Sequence, residues 1–230
     1  MENTRTKTTR NSLILLLTAA IWGMAFVSQS KGMDYMHPFT FNGVRSLIGA
    51  ASILVYILIS RKIAGDKAAP LDWKLNVKAG LLCGIFLTIA STLQQFGIKY
   101  TSVGKAGFIT TLYIIFVPMF GIFLKKKVAP VVWAAAVMAA VGMYLLCMTE
   151  SLRLGAGDIM VFLCAIAFAI QIMTVDHYAA RIDGAVVSCI QFTVCGVVCC
   201  IGALIWGQPT FGQLQEGLGA LLYEIGRAHV

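Results

Sequence analysis

The chain has 230 residues, is 59% hydrophobic and only 12% charged, and carries a formal net charge of +8. Soluble globular domains hold roughly 25% charged residues, so composition excludes an ordinary water-soluble domain. The positive balance does not point to nucleic acid: the basic residues lie in short loops beside apolar runs, where they act as topology signals and headgroup contacts, and no loop is long enough for a nucleic-acid-binding module.

Seven apolar runs follow in chain order: Leu13–Ser30, Phe39–Ile59, Ala79–Ile98, Ala106–Leu124, Pro130–Thr149, Ile159–Val175 and Ala185–Trp206. Each is apolar all round and about as long as a bilayer is thick, which predicts an all-α polytopic membrane protein; a β-barrel would show shorter, alternating segments. An eighth run begins near Leu218 and stops at Tyr223. Arg5, Lys7 and Arg10 precede a first run with no clear small-residue cleavage site, so it reads as a retained span and not a secretory signal. The segment Lys125–Ala129 joins two runs in five residues, making their helices antiparallel neighbours. The longest connection, Ser60–Lys78, is basic and holds Gly65 and Pro70.

With the N-terminus inside, the inner segments carry twelve Lys and Arg: the first three, then Arg61, Lys62, Lys67, Lys74 and Lys78, then Lys125, Lys126 and Lys127, then Arg181. The outer loops carry four: Lys31, Lys99, Lys105 and Arg153. This bias predicts a multi-pass protein of the cytoplasmic membrane with a cytoplasmic N-terminus. All seven cysteines fall inside apolar runs with no Cys-x-x-Cys and no histidine in the same run, so they read as small hydrophobes and not metal ligands.

Sliding the chain by 146 residues sets Trp22 on Phe168, Ala19 on Ala165, Leu17 on Leu163 and Arg45 on Gln191, with the loop Lys31–Pro38 on the polar stretch His177–Gly184. A repeat that starts after five crossings is inverted, a construction common in secondary transporters.

Several stretches occur together in order: Ala20-Ile21-Trp22-Gly23-Met24-Ala25-Phe26, Pro38-Phe39 with Arg45, Gln95-Phe96-Gly97-Ile98-Lys99-Tyr100-Thr101-Ser102, Ala106-Gly107-Phe108-Ile109 with Pro118, and Gly157-Asp158 with Ala165, Ala169 and Gln191. In this the chain resembles the drug/metabolite transporter superfamily, specifically its EamA-like branch. The resemblance implies ten helices in two inverted five-helix units that move small organic solutes such as amino acids or drugs. It divides this chain into a first unit at 1–149 and a partial second unit at 155–223, leaving about seven to eight helices; the abruptly polar residues Glu224–Val230 read as a non-native tail at 224–230. Many members carry a glutamate just after the fourth span, where Lys125-Lys126-Lys127 stands here.

Polar and aromatic groups inside spans are the candidates for the solute pathway. Arg45 is the basic residue deep in a span. Gln94 and Gln95 are consecutive, about 100° apart on their helix, so one is expected at a cavity and the other between helices. Gln171 and Gln191 are the matching candidates of the second unit. Trp22 and Tyr113 are candidate aromatic walls, and Pro118 a hinge, because proline removes a backbone hydrogen bond. Ala19 with Gly23, and Gly80 with Gly84, fit small-xxx-small packing. Asp158 reads as a helix N-cap, and Asp176 with His177 as a solvated helix end. No carboxylate lies deep in a span, which gives no support to coupling through a buried acid.

The functional expectation is therefore a secondary transporter working by alternating access, with the lipid bilayer and a small-molecule solute as partners, no nucleic acid, and a homo-oligomer left open. No phosphate-cradling Gly-x-x-x-x-Gly-Lys-Ser/Thr loop is present and no cofactor is implied. The rival classes fare worse. An intramembrane enzyme would need a paired nucleophile and base or a histidine cluster, and a seven-helix retinal receptor would need a lysine in the run Ala185–Trp206, which has none.

Overall fold

A computed structural model describes residues 2–65, 71–123, 130–148, 155–207 and 209–217. The described residues fold into helices: α1 (Glu2–Tyr35), α2 (Pro38–Ala64), α3 (Trp73–Tyr100), α4 (Val103–Thr111), α5 (Tyr113–Phe123), α6 (Pro130–Met148), α7 (Ala156–Tyr178), α8 (Gly184–Gly202) and the short α9 (Phe211–Glu216). Five segments among them are long and apolar enough to cross a membrane: Pro38–Ala64, Trp73–Tyr100, Val103–Phe123, Ala156–Arg181 and Gly184–Gly207. The helices α1 and α6 also fall where apolar runs were read. The fold is that of a polytopic α-helical membrane protein. The apolar stretch near Leu218–Tyr223 and the tail after it lie outside the described residues.

Local chemistry sets the helix ends. Pro38 occupies the first turn of α2, where its missing N–H costs nothing, and His37 Nδ1 accepts the Phe39 N–H at 3.4 Å. Asp72, Ser102 and Asp183 cap α3, α4 and α8 by accepting N–H groups of their first turns. Gly65 closes α2 at φ +52°, a conformation other residues adopt only under strain. The expectation for Asp158 is corrected. Gly155 is the N-cap of α7, and Asp158 stands three residues on, reaching back to accept the Gly155 N–H at 2.9 Å. Aspartate suits that third position because the first-turn N–H groups and the helix dipole favour a carboxylate there.

The fourth run, read as one span Ala106–Leu124, falls on one membrane-length segment, Val103–Phe123, with a tightened turn at Leu112 where α4 gives way to α5. The Leu112 N–H turns back three residues to Ile109 O at 3.1 Å, and α5 restarts at Tyr113. Thr111 Oγ1 donates to Gly107 O at 2.7 Å just before the break, a back-bond of the kind that bends helices. Pro118 sits inside α5, six residues beyond the break.

Packing concentrates on four helices. α3 lies chiefly against α7 and α8, and α2 against α8. Glycines make these approaches possible. A Cβ on Gly80 would stand 2.7 Å from Ile190 and one on Gly84 2.8 Å from Val194, so the Gly80–Gly84 pair does receive α8. A Cβ on Gly43 would lie 2.7 Å from Cys200 Sγ, and one on Gly196 2.7 Å from Leu47. At the α3–α7 crossing a Cβ on Gly157 would meet backbone, Gly97 O and Tyr100 C, each at 2.8 Å. Such close backbone approach is the main source of helix association where lipid removes the hydrophobic drive. The helix α1 touches this group only at its edge, and α6 lies against α4 and α5.

Candidate solute pathway

Buried polar side chains along the packed helices are mostly consumed by interhelical bonds. On α3, Gln94 Nε2 donates to Thr110 Oγ1 of α4 at 3.3 Å, while Gln95 Nε2 donates to Gln29 O of α1 at 3.3 Å. Both glutamines are buried and each ties α3 to a different helix, as their angular separation demands. In the second half, Gln171 Nε2 of α7 donates to Gln191 Oε1 of α8 at 3.0 Å. The sequence-derived candidates Gln94, Gln95, Gln171 and Gln191 thus sit in helix contacts. Arg45, on α2, is half-buried with its guanidinium 5.7 Å from the centre of the Phe41 ring, a cation–π distance.

A polar seam follows the α2–α3–α8 junction. Asn42 Nδ2 donates to Ser91 O at 3.0 Å, and the Ser46 and Ser91 hydroxyls meet the Cys195 thiol at 3.5 and 3.4 Å. At the end of the bundle that holds the α2–α3 connection, Asn76 joins two helices. Its Nδ2 donates to Asp72 O at 2.8 Å, and its Oδ1 accepts the Asp183 N–H at 2.9 Å. Asp183 also pairs with Arg61 of α2 at 3.4 Å across a half-exposed surface. At the opposite end Thr101 donates to Asp158, joining α3 to α7. That end also gathers His37, Phe39, Phe96 and Trp206, with ring centres 5.3–5.6 Å apart. His37 lies just before α2, and partial burial with the nearby Lys99 charge holds its pKa below the usual histidine value.

Two of the sequence candidates do meet in one place. Trp22 and Tyr113 line a cavity of about 480 Å³ between α1 and the α4–α5 break. Thr18, Phe26, Thr110 and Thr111 supply more of its wall, and Ala19, Gly23 and Gly107 leave space along it. Nothing stands within 4 Å of a Cβ built on Gly23, so the Ala19–Gly23 pair opens a cavity where Gly80–Gly84 closes a contact. Trp22 is 45% exposed. The threonines and Phe26 were not singled out from sequence; adjacent hydroxyls at Thr110 and Thr111 in mid-span were the signal that could have found them. A second cavity, also about 480 Å³, has a wall dominated by Leu82, Phe120, Phe123, Ile170 and Met173, with His177 and Tyr178 beside it. Its wall is nearly all apolar, so it offers a solute almost no polar recognition. Among the described residues no group of three or more His, Cys, Asp or Glu gathers to hold a metal ion, and the described cysteines are free thiols.

These features define a class first: a multi-pass helical membrane protein whose cavity lies beside an interrupted spanning helix. Residues 10–148 match the EamA-like transporter family, and the chain belongs to that family. An uncharacterized transporter of Archaeoglobus fulgidus is 31% identical over 171 residues, covering 72% of this chain and 48% of the relative. The chain thus spans about half the length of the curated relative it matches.

Proposed function

We propose that this chain is a secondary carrier of small organic solutes in the cytoplasmic membrane, with its N-terminus inside, and that solute occupies the cavity between α1 and the α4–α5 break. The carrying observation is that Trp22 and Tyr113 line one cavity beside the tightened turn at Leu112, where α4 gives way to α5. Irregular backbone within a bilayer persists only where protein or a cavity receives its unpaired groups, and discontinuous helices often form transporter sites.

The lysine and arginine bias supports the orientation. It assigns the α2–α3 end, with Arg61, Asn76 and Asp183, to the cytoplasm. The division into inverted units at 1–149 and 155–223 is supported by register: α2 begins at Pro38 and α8 at Gly184, 146 residues apart, the offset read from sequence. In alternating access α1, whose contacts are sparse, would rock against α4–α5, while the glycine-packed α2, α3, α7 and α8 hold still.

Counterflow uptake into proteoliposomes, screened over labelled organic solutes, tests this reading. Trp22→Leu and Tyr113→Leu should each lower uptake about tenfold, the effect of roughly 1.4 kcal/mol of lost contact. Trp133→Phe, on α6 and outside the cavity wall, should not. Equal uptake by all three variants and the parent would remove the cavity from the pathway.

A further inference from the structure

The proposed solute cavity also carries a charge preference. Among the described residues no Lys, Arg, His, Asp or Glu stands in its wall. Three aromatic rings do: Trp22 and Phe26, one helical turn apart on the same face of α1, and Tyr113 at the restart of the opposite helix. Aromatic faces carry negative quadrupole charge and attract cations, most strongly for tryptophan. The wall's hydroxyls lean the same way. Thr111 spends its proton on Gly107 O, so its lone pairs are what it has left to offer. Thr110 spends a lone pair in accepting from Gln94 Nε2. The neutral donors of the wall, the Trp22 indole N–H and the Tyr113 hydroxyl, bring no full positive charge. Arg45 belongs to α2, beside the Phe41 ring, and is not part of the wall.

From this, and resting on the reading of the cavity as the solute site, we propose that it selects an organic ammonium ion with an apolar body and rejects carboxylates of the same size. A carboxylate would give up its hydration for a wall with no counter-charge, in a low-dielectric setting where that loss is severe. An alkylated ammonium has less hydration to lose and finds ring faces and hydroxyl oxygens in return.

Equilibrium dialysis of the 230-residue chain in maltoside micelles tests this with three labelled probes that share a phenyl ring: benzyltrimethylammonium, phenylacetamide and phenylacetate. Site-specific binding is the difference between dialysis against protein-loaded micelles and against protein-free maltoside micelles, which cancels partition into the micelle. The expected result is benzyltrimethylammonium bound at least about tenfold more tightly than phenylacetate, weakened about two- to thirtyfold by Trp22→Leu or Tyr113→Leu and less by Trp22→Phe. Thr111→Val should weaken the cation while leaving phenylacetamide nearly unchanged. If a leucine variant does not elute as a single species, Trp22→Phe and Tyr113→Phe carry the comparison, because both keep a ring in place. Site-specific binding of all three probes within about threefold, or a preference for phenylacetate, overturns the charge preference and leaves the cavity as a solute site. Probe binding indifferent to every Trp22 and Tyr113 variant overturns both.

Discussion

Two small-residue pairs of the same spacing behave in opposite ways. Gly80 and Gly84 on α3 lie under Ile190 and Val194 of α8 with no room for a methyl group, whereas Gly23, four residues after Ala19 on α1, faces open space beside the cavity. The first belongs to a packed group of α2, α3, α7 and α8; the second belongs to α1, which is held by few contacts, across the cavity from α4–α5, which pack on α7. Close packing makes a region hard to deform, since interdigitated atoms have no alternative position at similar energy. A helix with a vacant face can shift at little cost. The contrast therefore separates a scaffold from a surface able to move around a solute.

The sharpest break of that comparison is Gly157→Ala. The added methyl would collide with Gly97 O and the Tyr100 carbonyl carbon, which are backbone and cannot turn aside. A loss of about 3 kcal/mol or more is expected, at the upper end of overpacking costs, seen as poor recovery of monodisperse protein and a lower midpoint in SDS or thermal unfolding. Asn76→Ala comes next. It leaves the Asp72 carbonyl and the Asp183 N–H without the side chain that joins them, for a loss of about 2 kcal/mol by the same assay. Gly23→Ala should have the opposite sign. With nothing for the methyl to strike and helical backbone on either side, stability should rise by about 0.5–1 kcal/mol. Solute uptake should nonetheless fall, because the methyl enters the cavity. An unstable Gly23→Ala protein would mean that α1 is packed as tightly as α3.

The smallest effect concerns pH. His37 has a depressed pKa in the fold, through burial first and Lys99 second. The unfolded chain, with histidine near the ordinary value of about 6.5, then binds more protons than the folded one at mildly acidic pH, so stability rises with pH. The contribution is complete above the ordinary value and is lost as pH falls through it toward the lower folded value. The thermal midpoint should therefore drop modestly on acidification through that window, and His37→Gln should flatten the drop. An unchanged slope in the variant would remove His37 as its source.

Much of the scaffold was legible in the sequence, and the reasons are physical. Lipid forces helices to be long and apolar, so their positions follow from hydropathy alone, and the described residues of the seven runs from Leu13 to Trp206 fall on helix. The break at Leu112 was not legible, since one residue changes partner inside a run that stays apolar on both sides. Nor does composition say which polar groups meet. Gln94, Gln95, Gln171 and Gln191 have the chemistry of a solute site, yet each finds a neighbouring helix first. Trp22 and Phe168 occupy matched positions of the 146-residue offset but part company in space. Phe168 packs on the α3–α7 core, while Trp22 faces the cavity. Which of two matched residues is left open depends on what each helix packs against, and that is a property of the assembled bundle.

The most direct test follows the two regions at once. Spin labels attached through bioorthogonal residues at Met24 of α1 and Ile122 of α5 report the proposed moving wall, and labels at Leu81 of α3 and Val198 of α8 report the scaffold; all four sites are exposed on the helix surface. Pulsed dipolar distances in liposomes, with and without benzyltrimethylammonium, should show the Met24–Ile122 distribution shifting while the Leu81–Val198 distribution stays narrow and fixed. A shift confined to Leu81–Val198, or equal shifts in both pairs, would contradict the division of the molecule into scaffold and moving wall.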